Sequence, residues 1–235
     1  MYGWRARIGV MIPSANATLE NEFIRLAPDG VSVHTSRMFL INTNAEGLRK
    51  MTEQVERCTK ELSTVKCDTI VFGCTSGSFV GGAAWNEDLE ARMEAISGVP
   101  CITTSTALQR ALKLYGKKKL SIVTPYIEEL NLLEKQYFES TGYTVLDVKG
   151  LGIEDNVMMG KQPPTASFAL AKQIPPATEL LIISCTDFRN IENIAVLEAD
   201  LGIPVISSNQ ASFWAALRAC GVQEKIQGYG RLFQY

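Results

Sequence analysis

Two stretches of this 235-residue chain read almost alike, and together they restrict its fold more than any other feature: Asp68-Thr-Ile-Val-Phe-Gly-Cys-Thr-Ser76 and Glu179-Leu-Leu-Ile-Ile-Ser-Cys-Thr-Asp187. Each is a short run of apolar or β-branched residues that breaks at a small residue and continues with Cys-Thr. A run of this length, bounded by polar residues, predicts a strand buried on both faces, as in a parallel sheet. Cys74 and Cys185 then stand just past the carboxyl ends of two buried strands, the edge of an open α/β sheet where ligands bind.

The rest of the chain repeats around these landmarks. In the first half, strands are predicted over 7–12, 31–38, 69–73 and 99–103, alternating with helical patterns over 19–26, 45–65, 86–96 and 105–114. Asn16 or Thr18 is available as the cap of the first helix. In the second half, strands over 120–124, 144–148, 180–184 and 204–207 alternate with helices over 127–140, 166–173, 190–201 and 210–219, and 150–162 reads as a Gly-containing loop. Pro125 follows Pro13 by 112 positions, Cys185 follows Cys74 by 111, and Gly202-Ile-Pro-Val205 follows Gly98-Val-Pro-Cys101 by 104. Landmarks in one order at nearly one offset indicate a duplicated unit. The expected architecture is therefore α/β: two pseudo-symmetric, doubly wound parallel-sheet (Rossmann-like) domains with the site in the cleft between them. Residues 1–107 with 209–235 would form the first domain and 108–208 the second, with the last helix and tail packing back on the first half.

Composition narrows the class of partner. The chain is 20% charged with a net charge of −2 and has no basic stripe, which argues against nucleic acid. No apolar run approaches the ~18 residues of a membrane span, and the first residues lead into a strand with no signal-peptide apolar region, so a cytoplasmic protein with no membrane partner is expected. The six cysteines include no Cys-x-x-Cys pair and are expected to be reduced thiols. With His34 the only histidine, a zinc site or a Ser-His-Asp triad has little to draw on, and no metal is expected. No Gly-x-Gly-x-x-Gly loop or P-loop is present, so no cofactor is expected either.

The chemistry is expected at the strand ends. A thiol leading into a helix gains acidity from the amides of the helix N-terminus, which predicts a thiolate near neutral pH at Cys74 or Cys185. Two opposed thiols supply a nucleophile or base on one face and a proton donor on the other. Cys58, Cys67, Cys101 and Cys220 are read as buried structural thiols. Thr75, Ser76 and Thr186, beside the two cysteines, offer hydroxyls and amides to a carboxylate or a developing enediolate. Ser14 and Asn16 follow the first strand, Tyr126 follows its counterpart, and Asn156 sits in Gly152-Ile-Glu-Asp-Asn-Val157; all are expected to converge on the cleft. Capping by Ser14 and Thr18, and a simple turn at Asn156, are the structural alternatives.

Five segments carry a resemblance: Pro13-Ser-Ala-Asn-Ala-Thr-Leu-Glu20, Phe72-Gly-Cys-Thr-Ser76, Thr124-Pro-Tyr126, Ile153-Glu-Asp-Asn156 and Ser184-Cys-Thr-Asp187, with the ending Gly228-Tyr-Gly-Arg-Leu232 as a sixth. They resemble the aspartate/glutamate racemase superfamily and, within it, maleate cis-trans isomerases and the related arylmalonate decarboxylases. The decarboxylases are similar at Thr75, Ser76, Tyr126 and Cys185 but have glycine at the position of Cys74. The resemblance implies a cofactor-independent enzyme for a small dicarboxylate or carboxylate, with Cys74 as nucleophile, Cys185 as proton donor, and a homo-oligomeric state. Ala15 and Ala17 depart from the isomerases, which often carry hydroxyl residues there. Two-thiol racemisation of an amino acid or hydantoin, decarboxylation of a substituted malonate, and a catalytically silent diacid sensor remain as alternatives at this level.

Overall fold

In the computed structural model, which describes residues 2–235, short β-branched and aliphatic runs pair into two sheets. The first contains β1 (Ala6–Pro13), β2 (Val31–Met38), β3 (Thr69–Phe72) and β4 (Cys101–Thr103) in the order β2-β1-β3-β4; the second contains β5 (Lys119–Thr124), β6 (Thr144–Gly150), β7 (Leu180–Ile183) and β8 (Val205–Ser207) in the order β6-β5-β7-β8. All the pairings are parallel, with Val10 opposite Val71 in one sheet and Ile122 opposite Ile182 in the other. Every residue of β3 and β7 is buried, as their unbroken apolar runs require. The matching order puts the ends of β1, β3, β5 and β7 at corresponding places in the two halves.

The connecting helices are α1 (Leu19–Leu26), α2 (Ala45–Thr52), α3 (Val55–Thr64), α4 (Thr75–Phe79), α5 (Gly82–Ser97), α6 (Thr104–Tyr115), α7 (Glu128–Ser140), α8 (Asn156–Gly160), α9 (Pro164–Ala171), α10 (Ile194–Leu201) and α11 (Ser208–Ala219). Several differ from the sequence pattern. The single helix expected over 45–65 is two, because Gln54 at the break turns its amide to the Phe39 backbone, accepting from N–H at 2.9 Å and donating to C=O at 3.0 Å. The loop expected over 150–162 contains α8, which Asp155 caps by accepting from the Met158 N–H at 2.9 Å. The helix expected from 190 begins as a 3-10 turn, Ile191–Asn193. Helix α1 is capped from a distance: Asn16 Oδ1 accepts from the N–H groups of Thr18 and Leu19, both at 3.0 Å, while the Thr18 side chain makes no cap bond.

Helix α11 opens with a capping box between Ser207 and Gln210. It packs against α6 and reaches the strands of the first sheet as well as β8. Phe213 on α11 stands 4.9 Å from Phe23 of α1 and 6.5 Å from Phe233 of the tail, so the C-terminus closes over the first half. The expected domain boundaries, after residues 107 and 208, fall within α6 and at the start of α11, the two helices that join the sheets.

Candidate active site

The carboxyl ends of β1, β3, β5 and β7 enclose a small cavity of about 20 Å³ between the halves, room for roughly one water. Pro13 and Asn16 reach it from the end of β1, Cys74 and Ser76 from β3, Tyr126 from β5, and Cys185, Thr186 and Asp187 from β7. Leu40 and Thr43 cover it from the loop after β2, and Asn156 and Met159 from α8. All these residues are buried. No lysine, arginine or histidine lines the cavity.

Cys74 caps α4. Its Sγ accepts from the Gly77 N–H at 3.3 Å and lies 3.7 Å from the Ser76 hydroxyl. Glycine at 77 leaves room for this approach, since a Cβ there would stand 2.9 Å from Met51 Cε and 3.1 Å from the Cys74 sulfur. Burial nevertheless outweighs both donors and pushes the thiol up to about 11. Cys185 has a left-handed backbone, φ 92°, a conformation that L-residues adopt at a cost and that aims its side chain. Its Sγ accepts from the Asp187 N–H at 3.4 Å. Burial first, and the nearby Asp187 charge second, raise this thiol well above the cysteine range although the Tyr126 hydroxyl hydrogen-bonds to it. Burial thus opposes, at both cysteines, the thiolate expected near neutral pH. Tyr126 is also held neutral by burial, its hydroxyl facing the two sulfurs.

Neutral polar groups stitch the halves together around the thiols. Asn16 Nδ2 donates to Thr186 Oγ1 at 3.0 Å, and Thr186 Oγ1 donates to the Gly73 carbonyl at 3.2 Å. Asn156 accepts from the Thr43 hydroxyl and donates to the Ile41 carbonyl at 3.0 Å. Around that bond the 41–44 and 151–156 segments pair: Asn42 and Asp155 form an antiparallel bridge, and Asn44 Nδ2 donates to Glu154 at 3.2 Å. The two segments roof the cavity.

Seven of the nine expected site residues line the cavity: Asn16, Cys74, Ser76, Tyr126, Asn156, Cys185 and Thr186. The side chains of Ser14 and Thr75 do not. Ser14 Oγ accepts from the Leu40 N–H at 3.1 Å, and Thr75 Oγ1 donates to Ser208 Oγ at 2.8 Å, so both hydroxyls are engaged elsewhere. Among the residues not singled out beforehand, Asp187 stands apart. Its Oδ1 accepts from the N–H groups of Ala17 at 2.9 Å and Thr18 at 3.1 Å, while Oδ2 is buried without a hydrogen-bond partner. Burial raises its carboxyl to about 6. A signal was present, because Asp187 ends the second Cys-Thr motif where the first has Ser76. Leu40, Thr43 and Met159 had none; the roof brings them in.

Two thiols and a ring of neutral donors around a small closed space suit proton transfer or covalent addition on a small anion. The arylmalonate decarboxylase family profile matches residues 8–233. A maleate isomerase of Nocardia farcinica is 30% identical over 239 residues, covering 97% of this chain and 95% of that one. An arylmalonate decarboxylase of Bordetella bronchiseptica is 30% identical over 230 residues, covering 96% and 95%. A solved structure of the N. farcinica maleate cis-trans isomerase, a cysteine-to-serine variant with a covalently bound succinylcysteine intermediate, superposes with a TM-score of 0.93 at 27% identity over 97% of this chain and 98% of that one. Similarity that runs from β1 to the final turn, around a cavity holding both thiols, places the sequence: the chain belongs to the arylmalonate decarboxylase family.

Proposed function

We propose that this protein is a cofactor-independent cis-trans isomerase of maleate, or of a close cis-dicarboxylate, acting by reversible addition of a cysteine. The observation that carries the reading is Cys74 itself, a second thiol sharing one cavity with Cys185 where the decarboxylases are expected to have glycine. The relatives named as maleate isomerases, one of them captured with a succinylcysteine, support it.

The productive form holds one proton on the thiol pair. Cys74, as thiolate, accepts from the Gly77 N–H and the Ser76 hydroxyl and forms a C–S bond to one alkene carbon. The π pair moves to the other carbon, delocalises into its carboxylate, and takes the proton of Cys185. Rotation about what is now a single bond turns the substrate half. Cys185 then removes the proton again, the C–S pair returns to Cys74, and the trans product leaves. Developing charge is met by neutral donors: Ser76, Asn16, Asn156, Thr186 and Tyr126 side chains, and the Thr75 and Ser76 N–H groups at the start of α4, which have no intrahelical acceptor. Ser14 acts one step back, holding Leu40 of the roof.

The resemblance also suggests a homo-oligomer, and we place the protein in the cytoplasm; among the described residues, no helix is long and apolar enough to cross a membrane. The test is a proton NMR time course with maleate in deuterated buffer, with Cys74→Ala and Cys185→Ala alongside. A fumarate signal in wild type that is lost in both variants is the expected result. Full activity in Cys74→Ala would rule out covalent addition by that residue.

A further inference from the structure

Asp187 is the only carboxyl among the residues lining the cavity, in a wall that offers no basic side chain. One of its oxygens is saturated by two main-chain amides of the α1 N-terminus. The other, Oδ2, is buried and has no donor. Gly160 packs against this carboxylate, where a Cβ would stand 2.9 Å from Oδ2 and 3.0 Å from Oδ1. A buried carboxylate oxygen without a partner loses its hydration with nothing in exchange. Because Asp187 lines the cavity, a ligand there can supply the donor that Oδ2 lacks among the described residues. Maleate as a dianion carries only acceptors and brings a second negative charge against this wall.

We infer that Asp187 makes the site selective for a cis-alkene that bears one carboxylate and one hydrogen-bond donor, a half-amide such as maleamate, over the maleate dianion. The inference rests on the isomerase reading and names its substrate class. The carboxylate end of the half-amide lies toward the free N–H groups at the start of α4, and the amide N–H donates to Asp187 Oδ2. Addition of Cys74 and protonation by Cys185 proceed on the alkene as before, and the product is the trans half-amide.

The experiment compares kcat/KM for maleamate and maleate at about pH 8, where free carboxyls are ionised, in wild type and in Asp187→Asn. The variant keeps an acceptor for the Ala17 and Thr18 amides and turns the free oxygen into a donor. Wild type should favour maleamate by roughly tenfold or more, and Asp187→Asn should raise activity on maleate by a similar factor while lowering it on maleamate. The wild-type ratio needs no variant, so a poorly folding Asp187→Asn leaves the test intact. Maleate turned over as fast as maleamate by wild type overturns the inference and leaves the isomerase reading standing. No isomerisation of either compound overturns both.

Discussion

The Cys74 thiol loses more by leaving water than it gains from the Gly77 N–H and the Ser76 hydroxyl, which is why it stands near 11 although it caps a helix. Thiolate, not thiol, is alkylated, so the rate reports that balance. Reaction of Cys74 with iodoacetamide, followed by peptide mass spectrometry, should be roughly a hundredfold slower than that of free cysteine at neutral pH and rise about tenfold per pH unit toward pH 10. A plateau reached below about pH 8 would show a thiolate already present at rest. Glu134 on α7 is governed by the same physics. Ser184, next to Cys185, donates to its Oε1 at 2.6 Å, Oε2 has no partner, and burial raises the carboxyl from 4.5 to about 8. Its folded-state value exceeds the unfolded one, so the native state binds the extra proton between them. The cost to stability is absent below about 4.5, grows as pH rises and is complete above about 8. Glu134→Gln keeps the acceptor for Ser184 and removes the titration. In urea denaturation it should be more stable than wild type by about 2 kcal/mol or more at pH 8 and equal to it near pH 4.

At the scale of elements, the roof over the cavity consists of two segments that are remote in the chain and held by side chains from both halves. Thr43→Val leaves the buried Asn156 Oδ1 without its donor. An orphaned buried acceptor costs about 1–3 kcal/mol, so kcat/KM should fall by up to roughly 5- to 150-fold, with faster hydrogen exchange across 41–44 and 151–156. Unchanged exchange would mean that the segments close the cavity without that bond. Most elements were legible because their patterns are local: the strands from unbroken apolar runs, and the end of α5 from Gly98, which takes φ 72°. The break between α2 and α3 was not, since the helical pattern continues through Glu53 and Gln54 and the interruption comes from a contact with Phe39, 15 positions away. Helix α8 was too short to show a period, although Asp155 offered a capping signal.

Over the whole molecule, the two sheets share one strand order and are joined by α6 and α11, which pack on each other. Ile182 in β7 is fully buried between its neighbours in β5 and β8, and Ile182→Ala should cost about 2–5 kcal/mol in equilibrium unfolding. The α6–α11 contact couples the halves, so the loss should appear as one shifted transition; two separate transitions would mean that the halves unfold independently. Periodicity and paired motifs were enough to read a duplicated parallel α/β chain with Cys74 and Cys185 at matching strand ends, because strand burial and side-chain direction are set by neighbours in the chain. They were not enough to say which polar groups face the cavity. Ser14 turns to Leu40, 26 positions on, and Thr75 to Ser208, 133 positions on, while Asp187 is brought in by amides 170 and 169 positions away. A hydroxyl or carboxyl is available to a ligand only when no other part of the protein satisfies it, and a thiol's acidity depends on how much water is left around it. Both are decided by packing between segments far apart in the chain, which only the tertiary structure brings together.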